Sequence, residues 1–223
     1  MFSKQQIGSP DTALVVGLGR FGRAAARRLN ELGVEVLGID RDPALVSRLA
    51  LELDNVLVLD ATDAEALDQV GLGHVTVAVV GMAHVEASVV TVLKLKEFGI
   101  REVWAKASSQ THGEILHRVG ADHVIYPEAA AGLRVAHAVA RHLIDYFEFE
   151  DGFAIARVTA PPSTWERSLA ESGVRTEYRV TVVGVKREGE PFHYAEPDTV
   201  IREGDHLIIS GTKPDLDRFA SQG

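Results

Sequence analysis

The sequence contains no cysteine. Disulfides, thiolate nucleophiles and zinc–thiolate sites are therefore excluded, and compartment must be read from other features. Long apolar runs are missing too. The stretch Val75 to Val80 is far shorter than the roughly 20 residues a membrane-crossing helix needs. The opening Met1-Phe2-Ser3-Lys4-Gln5-Gln6 has no apolar segment of signal-peptide type, so a cytoplasmic location is expected. An excess of positive charge is likewise absent. The formal net charge is −9 at pH 7, which argues against broad binding to nucleic acid or anionic lipid, since both need a basic face. One local basic pocket for a single nucleotide remains compatible with it. No long repeat or low-complexity tract breaks the chain.

What is present is an ordinary globular balance, 46% hydrophobic and 25% charged, with apolar side chains enough for a core. The 223 residues allow one large domain or two small ones. Residues 1–11 read as a polar tail. From 12 to 128, short apolar runs alternate six times with helical stretches. The strands are read at Ala13–Val16, Val34–Asp40, Asn55–Leu59, Val75–Val80, Glu102–Lys106 and His123–Tyr126. Alternation of this kind predicts a Rossmann-type doubly wound parallel sheet, an α/β fold. One helix is expected over Ala129–Asp145, making 129–148 a connector. Residues 149–223 then turn β-rich and form a smaller α+β subdomain, with strands at Ala154–Val158, Val180–Val185 and His206–Ser210 and a helix over Ser163–Ser172.

The chemistry-bearing motif is Gly17-Leu18-Gly19-Arg20-Phe21-Gly22. It directly follows a strand, it opens a helix, and an acid, Asp40, closes the next strand about 20 residues on. Gly17 permits the tight turn, Gly19 lets the backbone approach phosphates, and Gly22 lets the helix pack closely on the sheet. The helix N-terminus offers free N–H groups to an anion. Asp40 can accept hydrogen bonds from ribose hydroxyls, and the Arg20 guanidinium can reach a phosphate. Arg41 could accommodate a 2′-phosphate, but Asp40 would repel one, so NADP is not favoured. Asp60-Ala61-Thr62, after the third strand, would sit over the base; Asp60 reads equally well as a cap for the helix at Asp63.

These motifs recur in order with Val103-Trp104-Ala105-Lys106-Ala107 and Gly120-Ala121-Asp122-His123-Val124-Ile125-Tyr126-Pro127-Glu128, and Ile201-Arg202-Glu203-Gly204-Asp205 stands before the last strand. Together they resemble the Ktr/Trk class of cytosolic regulators built from an RCK (regulator of potassium conductance) domain, in its one-unit Ktr form. The resemblance covers nearly the whole chain. It implies homodimers assembled into an octameric ring beneath a membrane-embedded potassium-translocating partner, with ATP activating and ADP inactivating. It carries nucleotide contacts onto Gly17, Gly19, Arg20, Gly22, Asp40, Asp60, Thr62 and Lys106. It also implies that Glu128 helps place a divalent cation, Mg or Ca, near the γ-phosphate; on the residues alone, Glu128 is an exposed carboxylate favoured at a helix start. Cyclic di-AMP in the second subdomain is implied around Arg175, Val182, Val183 and Pro197, although Tyr178-Arg179 departs from the expected pattern and an apolar dimer strand explains the same residues.

Other constellations carry less. His112 and His117 are five apart, as are His137 and His142, which is not the spacing that puts two imidazoles on one helical face. They read as solvated or interface residues. Ser108, Ser109 and Thr111 read as lacking the strand–turn–helix setting of an activated nucleophile. A nicotinamide-dependent oxidoreductase, or an NAD(H)-binding sensor, is the competing reading. The former needs an acid/base group on a substrate domain, and no catalytic motif appears, so the chain is expected not to be an enzyme.

Overall fold

The computed structural model describes residues 12–139, 145–149 and 151–222, with backbone alone at 137 and 138. The tail 1–11, His142 and the His137 side chain lie outside the described residues. The chain divides after Glu128 into two compact units.

In the first unit, β1 (Thr12–Val16), α1 (Arg20–Glu31), β2 (Glu35–Asp40), α2 (Pro43–Leu49), β3 (Asn55–Val58), α3 (Ala64–Val70), β4 (Val77–Val80), α4 (Val85–Glu97), β5 (Glu102–Lys106), α5 (Gln110–Arg118) and β6 (His123–Ile125) follow one another. The strands form one sheet in the order β3-β2-β1-β4-β5-β6, with every pair parallel. Its order reverses at β1, the switch point where ligands of such sheets sit. Apolar runs become central strands here because both faces are covered. Leu14 and Val16 of β1 enter a core cluster with Leu95 of α4 and Leu116 of α5. Val15 joins a second cluster with Ala26 of α1 and Leu49 of α2.

Helix starts follow their side chains. Asp42 caps α2 by accepting from the Ala44 and Leu45 N–H groups, with Pro43 in the first turn. Asp63 caps α3 in the same way. At α1 the N-cap is Gly19, with no side-chain cap.

The helix α6 (Pro127–Val139) leads out of the first unit. The expected helix over 129–145, and with it a helical connector to 148, needs correction. Asp145–Glu148 is a strand, β7, paired antiparallel with β8 (Phe153–Thr159). The reversal at Asp151-Gly152 explains this: Gly152 is left-handed at φ 78°, and the Phe149 N–H reaches the Phe153 carbonyl at 2.8 Å.

The second unit continues with β9 (Arg167–Ser168), α7 (Leu169–Ser172), α8 (Val174–Tyr178), β10 (Thr181–Lys186), β11 (Phe192–Tyr194), β12 (Val200–Ile201), β13 (His206–Thr212) and α9 (Lys213–Ala220). Its main sheet runs β11-β10-β13-β8-β7, and β12 pairs with β9 separately. Alternate residues of β8 and β13 (Ala154, Ala156, Val158, Leu207, Ile209) pack with Leu216 and Phe219 of α9. The expected helix over Ser163–Ser172 is interrupted. Glu166 adopts φ 55°, and its N–H donates to the Ile201 carbonyl at 2.7 Å. Only Leu169–Ser172 is α-helical there, started by a capping box between Ser168 and Glu171.

One buried ion pair pins the second unit. Asp205 is fully buried and accepts from Arg187 Nε at 2.8 Å, Arg187 Nη2 at 2.9 Å and the Arg202 N–H at 2.9 Å. Burial pulls the Asp205 carboxyl upward, but the hydrogen bonds and charge of Arg187, with the Arg202 N–H, outweigh it and hold the group below the usual carboxylate value.

Candidate functional site

Parallel strands bring their C-terminal ends to one edge of the first unit's sheet. The glycine loop leaves β1 there, Asp40 and Arg41 end and follow β2, Asp60-Ala61-Thr62 follow β3, Lys106 ends β5, and Glu128 stands in the first turn of α6.

Each glycine of the loop has its own reason. Gly17 is left-handed at φ 85°, and a Cβ there would come within 2.9 Å of Met82 Cγ. At Gly22 a Cβ would drive into the Gly17 carbonyl oxygen, so the first turn of α1 closes on the loop only with glycine. Gly19 differs, for a Cβ on it would meet nothing within 4 Å. With no side-chain cap at the start of α1, its first-turn N–H groups have no side-chain acceptor there, the arrangement that suits an anion. The Phe21 ring lies against Gly81, 3.2 Å from where a Cβ would stand.

Asp40 holds this loop. Its Oδ2 accepts the Leu18 N–H at 2.7 Å and its Oδ1 the Asp42 N–H at 2.9 Å. Each carboxylate oxygen keeps lone-pair capacity for a ribose hydroxyl. Spacing alone does not reveal the loop-bracing role, because it depends on Leu18 folding back under β2.

The two readings of Asp60 separate. The cap of α3 is Asp63, whereas Asp60 Oδ1 accepts from the Thr62 N–H at 2.9 Å and the Thr62 hydroxyl at 2.7 Å. The Thr62 N–H foremost, then its hydroxyl and the charge of Arg41, hold the Asp60 carboxyl below its ordinary value against a small effect of burial. Ala61 is buried, and its carbonyl accepts the Thr91 hydroxyl of α4 at 3.3 Å.

Lys106 and Glu128 meet directly, Nζ to Oε1 at 2.8 Å, the lysine side chain 12% exposed and the glutamate 69%. The Lys106 hydrogen bond chiefly, with Glu128's own N–H and the charges of Lys106 and Arg20, lowers the Glu128 carboxyl. Arg20, Lys106 and Glu128 thus share one electrostatic neighbourhood beside the loop. Among the described residues no group of three or more His, Asp or Glu side chains could hold a metal ion. Glu128 brings a single carboxylate, matched by Lys106, so a cation beside it would take its other ligands from elsewhere.

Two further sequence readings change. His112 is not solvated: it is 2% exposed and fully hydrogen-bonded. Ser108 and Ser109 do lie between a strand and a helix, β5 and α5, and Ser109 caps α5 by accepting the His112 N–H at 3.1 Å. The signal for His112 was its place three residues after that cap, inside the turn. In the second unit, Arg175 is exposed on α8, and Val183 is 41% exposed at an irregularity in the β10–β13 register. Val182 packs partly against the core. The Pro197 carbonyl accepts the Ala170 N–H at 2.9 Å. Arg179 ends α8 in the left-handed conformation, and nothing in the structure explains the unexpected Tyr178-Arg179 pair.

A parallel sheet in 3-2-1-4-5-6 order with a glycine loop at its switch point, followed by a small antiparallel domain, defines a Rossmann-type domain with an appended C-terminal subdomain. Family models agree with this division: TrkA-N domain over residues 13–127 and TrkA-C domain over 155–222. The chain is 31% identical to Ktr system potassium uptake protein A of Bacillus subtilis (strain 168) over 211 residues, covering 94% of this chain and 95% of that one. It is 33% identical to Ktr system potassium uptake protein C of the same organism over 209 residues, covering 92% and 94%. Among solved structures, the GsuK RCK domain superposes with TM-score 0.54 at 21% identity, over 97% of this chain and 48% of that chain. The GsuK channel bound to NAD gives 0.52 at 22% identity (96% and 39%), and GsuK bound to ADP gives 0.51 at 22% (59% and 34%). The chain belongs to the TrkA-N/TrkA-C family of potassium uptake proteins. The two Bacillus relatives are Ktr system potassium uptake proteins, the class that the sequence motifs resemble. No helix among the described residues is long and apolar enough to cross a membrane.

Proposed function

We propose that this chain is the nucleotide-sensing regulatory subunit of a potassium uptake system. It binds ATP and ADP at the edge where Gly17, Gly19, Arg20, Phe21, Gly22, Asp40, Arg41, Asp60, Ala61, Thr62 and Lys106 converge. The observation that carries the reading is the uncapped start of α1 with its open direction at Gly19, beside the cationic pair Arg20 and Lys106. ATP and ADP differ by one phosphoryl group. Arg20, Lys106 and Glu128 are the groups whose charge can register that difference. A cation at Glu128, Mg or Ca, is part of this reading only with phosphate oxygens or a second copy supplying its other ligands. A homodimer, assembled into an octameric ring on the cytoplasmic face of a membrane-embedded translocating partner, is the expected form. Exposed apolar residues of α6, Leu133, Val135 and Val139, support association through that helix. Cyclic di-AMP at Arg175, Val182, Val183 and Pro197 is a secondary part of the proposal. NAD(H) is the competing ligand, favoured by the free lone pairs of Asp40 and by GsuK having been solved with NAD.

A ligand gates a partner only through unequal affinity for two conformations. Small-angle scattering of the assembled protein should therefore differ between ATP and ADP, with phosphate release at background. Superimposable profiles, or rapid ATP turnover, would overturn the reading. Competition between NADH and ATP in the same titration separates the two ligands.

A further inference from the structure

His112 is a buried titratable group to which the nucleotide reading gives no part, and its ring is engaged on both sides. Ser88 Oγ of α4 donates to the Val85 carbonyl at 2.8 Å, so at 2.8 Å from His112 Nε2 it acts as acceptor. On the other side the Ser108 N–H points at Nδ1 at 3.2 Å, and Ser108 Oγ lies 3.1 Å away. A backbone N–H can only donate, so Nδ1 is the acceptor and Nε2 carries the proton. The imidazole is a neutral clamp between α4 and the turn leaving β5. That turn is the direct continuation of Lys106. Ala107 anchors it to β6 through its N–H on the Ile125 carbonyl at 2.8 Å, and Ser108 anchors it to His112.

We infer that His112 is a positioning residue for the nucleotide site: its neutral ring holds the β5–α5 turn through Ser108, keeps Lys106 beside Glu128 and the glycine loop, and lets go when protonated. The inference rests on the nucleotide reading above. A proton on Nδ1 would face the Ser108 N–H and replace that attraction by a repulsion, leaving the Ser108 hydroxyl at 3.1 Å as its one acceptor, so the backbone hold on the turn is lost even where the hydroxyl turns to accept. The groups facing the ring from α4 and from the turn are Ser88 and Ser108. Burial is the cause that pushes the imidazole below its ordinary value, with no contribution from Glu86 of α4, Glu114 of α5 or Lys106 of β5. The folded value lies below the unfolded one. The clamp is therefore complete above the unfolded value of about 6.5, and its stabilisation is lost as pH falls through the folded value.

The test compares wild type, His112→Asn and His112→Ala between pH 8 and pH 5. An asparagine Oδ1 can accept the Ser108 N–H and cannot titrate. Histidine-labelled NMR should show the Nε2–H tautomer at pH 8, and the Lys106 to Ser108 signals should shift with the His112 midpoint. Calorimetry with ATP should show His112→Asn recovering affinity that His112→Ala loses at pH 8. Between pH 8 and pH 5 the wild type should weaken about fivefold more than His112→Asn, the worth of one neutral hydrogen bond. An Nδ1–H tautomer, Lys106 signals indifferent to the titration, or equal pH dependence in both proteins would overturn the inference. If wild type fails to bind ATP even at pH 8, the nucleotide reading falls, and the NMR signals still decide the clamp.

Discussion

The substitution Gly19→Asp pulls stability and affinity in opposite directions. Gly19 has φ −60°, which any residue adopts, and a side chain there meets no protein atom within 4 Å. An aspartate at this N-cap can accept first-turn N–H groups as Asp42 does for α2, where the distances are 2.9 and 3.3 Å. Relative to glycine that cap is worth a few tenths of a kcal/mol. Restricting the unfolded chain adds roughly 0.4–1 kcal/mol. The variant should therefore melt at or slightly above the wild-type temperature. For a nucleotide the same carboxylate is doubly unfavourable. It consumes the N–H groups a phosphate would use, and it sets a negative charge roughly 4 Å from another, a repulsion of about 4 kcal/mol at an effective dielectric near 20. ATP and ADP affinity should fall by about a thousandfold, and Gly19→Ala, without the charge, should lose much less. Scanning calorimetry and isothermal titration on the same samples read both quantities. An aspartate variant that binds ATP like wild type would show that phosphates do not lie at the start of α1.

Asp40→Ala should lose stability as well as affinity, by about 1–3 kcal/mol, because the buried Leu18 N–H loses its acceptor; an unchanged denaturation midpoint would contradict the bracing role. Asp205→Asn should destabilise the second unit by roughly 3 kcal/mol, seen in denaturant unfolding. The wild-type Asp205 carboxyl is held low in the fold, so its stabilisation is present above the unfolded value near 3.9 and is lost as pH falls through the folded value; the acid limb of the stability profile should flatten in Asp205→Asn. For Glu128→Gln, the dependence of ATP affinity on Mg²⁺ or Ca²⁺ should be weaker than in wild type, and an identical titration would remove Glu128 from the cation's surroundings. Light scattering at micromolar concentration should give at least a dimer mass and, for the ring, an octamer; a strict monomer would refute association.

Much of the first unit was readable because its determinants are local or periodic. The apolar run Val75–Val80 reads as a strand covered on both faces, of which Val77–Val80 forms β4, and Glu102–Lys106 stands where its pattern puts it. Gly17 and Gly22 declare themselves by their spacing, since backbone closeness tolerates no other residue there. The C-terminal unit was less legible. Asp145–Glu148 continues a helical run in sequence, yet the Gly152 reversal and the open edge of β8 draw it into a sheet. Ser163–Ser172 has helix-forming residues, but pairing of β9 with β12, more than thirty residues on, takes the chain out of helix at Glu166. The same distinction holds for side chains. Asp40 could be seen as an acid at the right strand end, and with the glycine loop and the motifs that follow it in order it pointed to the fold and the family. That it braces Leu18, that Asp63 rather than Asp60 caps α3, that Lys106 meets Glu128, and that His112 is clamped by Ser88 and Ser108 depended on tertiary structure. Hydrogen bonds across separate elements have no period in the sequence; only the packed sheet brings their partners within reach.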